Sequence, residues 1–317
     1  MNIGIYGYGN LGRGVETAAH AAGDNIVGIF TRRPPAVINS PFGTPVYDSA
    51  DVERFSEGID VLAVCGGSAT DLPAMTPTLA RSFNVVDSYD NHAEMKIHVR
   101  RVDEAARESG HSAIVGCGWD PGLFSLLRSY FGAFFPRGTV TTYWGRGVSQ
   151  GHSDAVRRID GVADAREYTV PRKELLSLVR RDGIKLTSEN LHRREVYVVP
   201  EDGADTARIA AEIRLLDGYF KGYETEVKFI TREEMAHDHR ELPHGGGIIA
   251  SNRSGARNEY RSTAELTLTL DSNPCFTGGI MLAYANAALN LFKRGEYGCK
   301  TVLDVCAGDI SDFYNLL

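Results

Sequence analysis

The five cysteines, Cys65, Cys117, Cys275, Cys299 and Cys306, include no CxxC pair, and their odd number and wide spacing give no framework. This argues against a zinc ribbon or a disulfide scaffold and fits buried thiols in a reducing compartment. The chain also lacks a run of the roughly 20 apolar residues that a membrane span needs. The longest apolar stretch, residues 279–292, is interrupted by Asn286 and Asn290 and reads as a core helix. No basic segment followed by an apolar one precedes the strand-like Ile3-Gly4-Ile5-Tyr6, so no secretory leader is expected and the expected location is the cytoplasm. Positive charge is not in excess either. Lys plus Arg number 34 against 41 Asp plus Glu, for a net charge of −7, so neither nucleic acid nor an anionic membrane is an expected partner. Internal repeats, charge blocks and low-complexity segments are absent. What remains is ordinary globular composition, 43% hydrophobic and 24% charged over 317 residues, a length for about two domains.

Short β-branched runs at 3–6, 26–30, 61–64, 85–87 and 113–116 alternate with helical stretches at 11–22, 71–81 and 92–109. In the last of these, Met95, Val99, Val102 and Ala106 fall on one face. Such βα alternation predicts a doubly wound parallel sheet. After Trp119 the rhythm changes. A helix is expected over 121–134, followed by strands at 139–144, 167–170 and 196–199 with little regular helix between them. Residues 263–270 alternate strictly, as in an antiparallel sheet with one free face, which suits dimerisation. The division expected is a first domain over 1–118 and an α+β domain over 119–275. A closing segment over 276–317, containing a helix near 276–294 and a strand near 301–306, is expected to return to the first domain.

The first strand runs into Gly7-Tyr8-Gly9-Asn10-Leu11-Gly12, a GxGxxG at a strand-to-helix turn. Gly7 permits the tight turn, Gly9 lets the backbone approach a pyrophosphate and Gly12 lets helix and strand pack closely, while the helix N-terminus supplies N–H donors. This context points to a Rossmann-type dinucleotide-binding domain. An enzyme that uses NAD usually has an acidic residue at the end of the second strand. Here the chain has Thr31-Arg32-Arg33, whose hydroxyl and two guanidinium groups suit a 2′-phosphate, so the expected cofactor is NADP. Later strand ends carry Gly67-Ser68-Ala69-Thr70, Ser88-Tyr89-Asp90 and Cys117-Gly118-Trp119-Asp120-Pro121. Asp90 and Asp120 stand where nicotinamide and substrate should meet, although each is equally a candidate helix cap.

GYGNLG, TRR, GSATD, SYDNH and GWDPG, with WG at Trp144-Gly145, SQGHSDA at 149–155, PHGG at 243–246 and NP at Asn273-Pro274, together resemble the meso-diaminopimelate D-dehydrogenase family. The resemblance spans nearly the whole chain. It implies NADP-dependent, reversible oxidative deamination of the D-centre of meso-2,6-diaminopimelate, giving L-2-amino-6-oxopimelate and ammonia in lysine and cell-wall precursor metabolism. It also implies a homodimer and makes the second domain a substrate-binding and dimerisation domain. The implied NADP contacts are Gly7, Gly9, Asn10, Leu11, Gly12, Thr31, Arg32, Arg33, Gly67, Ser68, Ala69, Thr70, Ser88, Tyr89, Asp90, Cys117, Gly118, Trp119, Asp120 and Pro121. The implied substrate contacts are Asp90, Asp120, Trp144, Gln150, Gly151, Asp154, Thr169, Arg194, His244 and Asn273, with Asp90 and Asp120 as the catalytic candidates. Two positions depart from the family's pattern: Arg146 replaces a familiar proline and adds positive charge near the substrate mouth, and Cys117 replaces a hydroxyl residue.

This substrate carries two ammonium and two carboxylate groups. Asp90, Asp120 and Asp154 suit the ammonium groups; Arg194 suits a carboxylate bidentately, with Thr169, His244 and Asn273 as further donors. Read alone, Arg194 also fits a solvated strand face and Asn273 an Asx turn. His237-Asp238-His239 forms no HExxH and reads as a solvated loop, so no metal is expected. The alternatives are a broader D-amino-acid dehydrogenase, a dihydrodipicolinate reductase-like enzyme, and a non-catalytic NADP-binding regulator, which would bind cofactor without turnover.

Overall fold

The computed structural model describes residues 1–68 and 70–311; Ala69 therefore lies outside the described residues. In chain order the first elements are β1 (Asn2–Tyr6), α1 (Asn10–Ala22), β2 (Asn25–Thr31), β3 (Val46–Asp48), β4 (Val61–Val64), α2 (Leu72–Leu79), β5 (Val85–Asp87), α3 (Met95–Ser109), β6 (Ser112–Val115) and α4 (Leu123–Phe134). There follow β7 (Thr139–Trp144), β8 (Gly147–Val148), α5 (Gln150–Arg157), β9 (Val162–Pro171), α6 (Lys173–Asp182), α7 (Ser188–Leu191) and β10 (His192–Pro200). Then come α8 (Thr206–Leu215), β11 (Glu224–Phe229), α9 (Arg232–Asp238), β12 (His244–Ser254), β13 (Tyr260–Leu270), α10 (Asn273–Lys293) and β14 (Gly298–Thr301). Two compact units result. One comprises Met1–Leu126 and the chain from Pro274 on; the other is Leu127–Asn273.

In the first unit seven parallel strands lie in the order β14-β6-β5-β4-β1-β2-β3. Both faces are covered, which is why the strands read as continuous apolar runs. Ile3, Ile5, Val61 and Ala63 pack with Val15 and Ala19 of α1 and Met281 and Ala285 of α10 on one face. Leu62, Val64 and Val85 pack with Leu72 and Leu79 of α2 and Val102 and Ala106 of α3 on the other. The close approach of α1 and α10 depends on two glycines: a Cβ on Gly14 would stand 2.1 Å from the Pro274 carbonyl oxygen, and one on Gly278 2.5 Å from the Gly14 backbone. Successive strands run outward from β1 to β3, then β4 starts again on the other side of β1, so the order reverses between β1 and β4.

The second unit holds a sheet β11-β10-β9-β8, parallel only at β10–β11, and an antiparallel sheet β13-β12-β7. Val196 and Val198 of β10 pack with Val156 of α5 and Ile209 and Ile213 of α8. Leu176 and Val179 of α6 cover Tyr143 and Ile249 on the other sheet.

Several expectations change. The second unit contains five helices between its strands rather than little regular helix; α6, KELLSLVRRD, buries only Leu176 and Val179, so its charged surface hides the periodicity. β3 is three residues long, too short to read. The closing strand is 298–301 rather than 301–306, because Val302–Asp304 forms a 3-10 turn. The expected buried thiols hold for Cys65 and Cys117, whereas Cys275 and Cys306 are exposed.

Candidate functional site

In an open parallel sheet, ligands collect outside the carboxyl ends of the strands at the point where strand order reverses. The turn after β1 stands there. Gly7 has φ +95, and a Cβ on it would lie 2.7 Å from the Cys65 carbonyl oxygen in the turn after β4. A Cβ on Gly12 would lie 2.2 Å from the Gly7 carbonyl oxygen. Gly9, the N-cap of α1, has open space where its Cβ would stand, leaving the first-turn N–H groups of Asn10, Leu11 and Gly12 approachable. Behind this cradle Glu16 is fully buried and accepts from Tyr8 Oη, from Ser40 Oγ and from Thr44 Oγ1 at 2.6 Å. Burial, followed by the Glu16 hydrogen bond, pushes the Tyr8 phenol up to about 12, so it donates across the ordinary pH range.

Cross-links hold the other strand-end turns. Arg33 donates to the Tyr8 carbonyl, and Thr31 Oγ1 accepts from the Arg33 N–H at 3.2 Å. Arg32, two-thirds exposed, donates to Asp71 Oδ1 at 3.1 Å, while Asp71 Oδ2 accepts from the Gly67 N–H at 2.9 Å. Ser68 Oγ accepts from the Asp90 N–H at 2.8 Å, joining the turns after β4 and β5. Beyond β6, Gly118 and Gly122 bridge so closely that a Cβ on Gly122 would stand 1.6 Å from the Gly118 carbonyl oxygen. Trp119 packs edge-on against Phe124, and the Cys117 thiol is buried, so the substitution at Cys117 presents only backbone to a ligand.

The helix-cap alternative is not realised for Asp90. Glu94, not Asp90, stands at the N-cap of α3, and Asp90 is exposed with no side-chain hydrogen bond among the described residues. Asp120 lies in the bridged turn, three residues before α4 begins. Sequence reasoning missed Asp87, which is fully buried at the end of β5. Its Oδ1 accepts from the N–H groups of Tyr89 and Gly116, both at 3.1 Å, and its Oδ2 meets Thr76 Oγ1 at 2.8 Å and His98 Nε2 at 2.7 Å. One carboxylate thus fixes the turns that carry Tyr89, Asp90 and Cys117.

In the second unit Thr169 on β9 pairs with Arg194 on β10, and with Gly147 of β8 on its other side. Arg194 is buried, donates to Thr169 Oγ1 and to Glu167 Oε1 at 3.3 Å, and lies 4.2 Å over the Tyr223 ring, so the solvated-face reading fails. His244 is brought beside Gly147, where a Cβ would stand 2.6 Å from its ring. The Asn273 N–H donates to the Leu242 carbonyl at 3.1 Å, bringing Asn273 to the start of β12. Trp144 ends β7, its N–H donating to His192 Nε2 at 3.0 Å. Gln150 and Gly151 open α5, which Ser149 caps by accepting from the His152 N–H. Asp154 is ion-paired with Arg157 on the same helix.

Two fully buried groups in this set, Glu167 and His192, escaped the sequence reading, while His152, which the sequence offers as ordering the Gly151–Asp154 turn, is half-buried. Burial pushes the Glu167 carboxyl up to about 7 despite Arg194 and Thr169, and its Oε2 has no hydrogen-bond partner. Burial, with Arg194 nearby, pushes His152 down to about 3. Burial likewise pushes His192 down to about 4, so it is neutral, with Nδ1–H donating to the Ser188 carbonyl at 2.9 Å. Arg146 does not share the sheet face of Thr169 and Arg194. It lies 4.2 Å over the Tyr168 ring and pairs with Glu195 at 2.8 Å. Neighbouring strand residues face opposite sides, so Tyr168 and Glu195 lie on the sheet face away from Thr169 and Arg194. Its charge is spent on that other face. His239 also lies there, bonded to Tyr168 Oη at 2.9 Å.

A glycine cradle at the reversal point of a parallel sheet, with an arginine pair and no acid after the second strand, places the chain among oxidoreductases that use a nicotinamide dinucleotide. Comparison with known proteins narrows this. Residues 118–272 match the family described as diaminopimelic acid dehydrogenase C-terminal domain. Meso-diaminopimelate D-dehydrogenase from Acetivibrio thermocellus is 46% identical over 308 residues, covering 96% of this chain and 92% of that one. The Corynebacterium glutamicum DAP dehydrogenase in complex with DAP superposes with a TM-score of 0.92 at 41% identity, covering 99% of this chain and 98% of that one. An engineered D-amino acid dehydrogenase bound to NADP+ gives 0.89 at 39% identity, with the same coverage. The chain belongs to the meso-diaminopimelate D-dehydrogenase family.

Proposed function

We propose that the protein catalyses the NADP-dependent, reversible oxidative deamination of the D-centre of meso-2,6-diaminopimelate, forming L-2-amino-6-oxopimelate, ammonia and NADPH. The observation that carries this reading is Arg194, a guanidinium buried against Thr169, Glu167 and Tyr223 in a chain whose other unit holds the dinucleotide cradle. A buried arginine with donors to spare is suited to a substrate carboxylate.

Bound NADP supplies the hydride acceptor. Gly7, Gly9, Asn10, Leu11 and Gly12 hold its pyrophosphate, and Thr31, Arg32 and Arg33 its 2′-phosphate. Gly67, Ser68, Thr70, Ser88, Tyr89, Gly118, Trp119 and Pro121, with the Cys117 backbone, line the nicotinamide side; Ala69 is assigned there on resemblance alone. Asp90 and Asp120 bind the D-centre ammonium and take its proton, because a neutral amine is the better hydride donor. As the C–H bond gives up hydride, the C–N bond becomes an imine; water adds and ammonia leaves. Arg194, Thr169 and His244 hold the distal carboxylate, while Trp144, Gln150, Gly151, Asp154 and Asn273 complete the substrate's surroundings. His244 is neutral, its pKa lowered by burial, and acts as a hydrogen-bonding group.

The dinucleotide-binding role belongs to the unit of Met1–Leu126 and the chain from Pro274 on, and the substrate-binding and dimerisation role to Leu127–Asn273, a division a few residues from the expected 119 and 275 boundaries. The protein is a cytoplasmic homodimer with neither nucleic-acid nor membrane partners. Half-buried Leu266 and Leu268 of β13 lie on the sheet face opposite Glu265, which pairs with Arg180 of α6, and they support pairing through that opposite face. Incubation with NADP and meso-diaminopimelate should release NADPH and ammonia in equal amounts; cofactor binding without either product would favour a non-catalytic regulator.

A further inference from the structure

We propose that the second unit carries an anion-binding site on the opposite sheet face from Thr169 and Arg194, suited to a small multivalent anion of the phosphate or polycarboxylate class. A cavity of about 540 Å³ lies there between α9 and the β9–β10 surface. Arg232, Met235 and Ala236 fall at i, i+3 and i+4 on one face of α9, and Arg240 follows just beyond its end. The helix thus brings an arginine to each end of the cavity with apolar atoms between them. From the sheet side Arg166 enters, paired across the strands with Tyr197 and two residues from Asp164.

These positive charges are poorly offset. Neither Arg232 nor Arg240 has a hydrogen bond or ion pair among the described residues. Arg166 uses Nη1 on Asp164 Oδ1 at 3.2 Å and on the Ala165 carbonyl at 3.0 Å, but its Nε is buried without a partner. Asp164 is the single acid lining the cavity, and its Oδ1 is already shared with Arg157 at 3.5 Å and the Ala165 N–H at 2.7 Å. Three guanidinium groups against one shared carboxylate form an uncompensated cluster in a chain of net charge −7. A compact multivalent anion relieves that repulsion and gives the planar forks paired acceptors. Buried Met235 and Val199 offer an apolar wall for a short hydrocarbon body.

The test is calorimetric titration of the full chain, saturated with NADP so that the cradle's arginines are occupied, with inorganic phosphate and with citrate. At least one anion should bind saturably, at one site per chain. The Arg232→Ala/Arg240→Ala variant should bind it at least tenfold more weakly, with NADP affinity unchanged. Both arginines are exposed and outside the proposed catalytic machinery, so the variant should fold and retain basal turnover. Preference for citrate would mark a polycarboxylate ligand and preference for phosphate a phosphorylated one. Absence of saturable binding by both anions, or equal binding by the variant, would overturn the proposal.

Discussion

Replacing Arg194 by Met removes a guanidinium while keeping an unbranched apolar stem over Tyr223. Two hydrogen bonds disappear, to Thr169 Oγ1 and Glu167 Oε1, together with a cation–π contact at 4.2 Å. A stranded buried carboxylate would ordinarily cost about 3–5 kcal/mol. Glu167, however, is already pushed up to about 7, so at pH 7 it is near half protonated, and completing that protonation costs only about 0.4 kcal/mol. Stability should therefore fall by about 1–2 kcal/mol, the scale of the lost bonds, and the variant should stay folded. Catalysis should respond differently. With meso-diaminopimelate the loss of a desolvated partner for the distal carboxylate should cost about 2–5 kcal/mol, or roughly 30- to 5,000-fold in kcat/KM. With a simple D-amino acid that has no distal carboxylate, kcat/KM should stay within about threefold of the parent. Initial rates of NADPH formation on both substrates, beside a thermal melt, measure all three quantities. Equal losses on the two substrates would refute the assignment and make Arg194 a structural residue or a partner of the reacting centre.

Replacing Arg32 and Arg33 with Ala should weaken NADP by about 1.5–3 kcal/mol per lost charge-assisted bond and leave NAD nearly unchanged, read by fluorescence titration of both cofactors. Equal weakening would point to a structural role for the pair. Gly12→Ala drives a Cβ to 2.2 Å from the Gly7 carbonyl oxygen and should abolish measurable NADP binding, whereas Gly9→Ala, which meets open space, should be milder. Acid should destabilise the fold in a definite window. His152 and His192 have folded pKa values of about 3 and about 4, below the ordinary 6.5, so their contribution is present above 6.5 and is lost as pH falls. Glu167, raised from 4.5 to about 7, works in the opposite sense between those values. Two histidines less one glutamate leave about one proton, so stability should drop by about 1.4 kcal/mol per pH unit between pH 6.5 and 4.5 from these groups. Denaturant melts of His152→Gln should show that slope flattened; an unchanged slope would mean that other groups set the acid limit.

The first unit was largely legible because its chemistry is local. Fully covered parallel strands such as Val61–Val64 announce themselves as apolar runs, and the GxGxxG turn owes its meaning to neighbours only a few residues away. The second unit was less so. α6 and α9 carry charge over most of their surface, so hydrophobic period does not reveal them, and β9 and β10 mix arginine and glutamate with valine, so it reveals only their carboxyl-terminal parts, 167–170 and 196–199. The groups that order the sites were the least visible. Asp87 reads as the last residue of a strand, and nothing nearby in sequence shows that Gly116 and His98 will come to its carboxylate. Glu167 and Arg194 lie 27 residues apart, and their meeting depends on the β9–β10 register. That register also decides the fate of Arg146, since a residue facing Tyr168 cannot face Thr169.

The most direct test is stereochemical. Purified protein and NADP are offered the meso, LL and DD isomers of 2,6-diaminopimelate in parallel, with NADPH, ammonia and the configuration of the remaining centre measured together. Deamination at a D-centre beside a distal L-centre held by Arg194 predicts rapid turnover of the meso isomer, with the L-centre retained, and none of the LL isomer. Turnover of the LL isomer at a rate comparable to meso, or loss of the L-centre from meso-diaminopimelate, would contradict it.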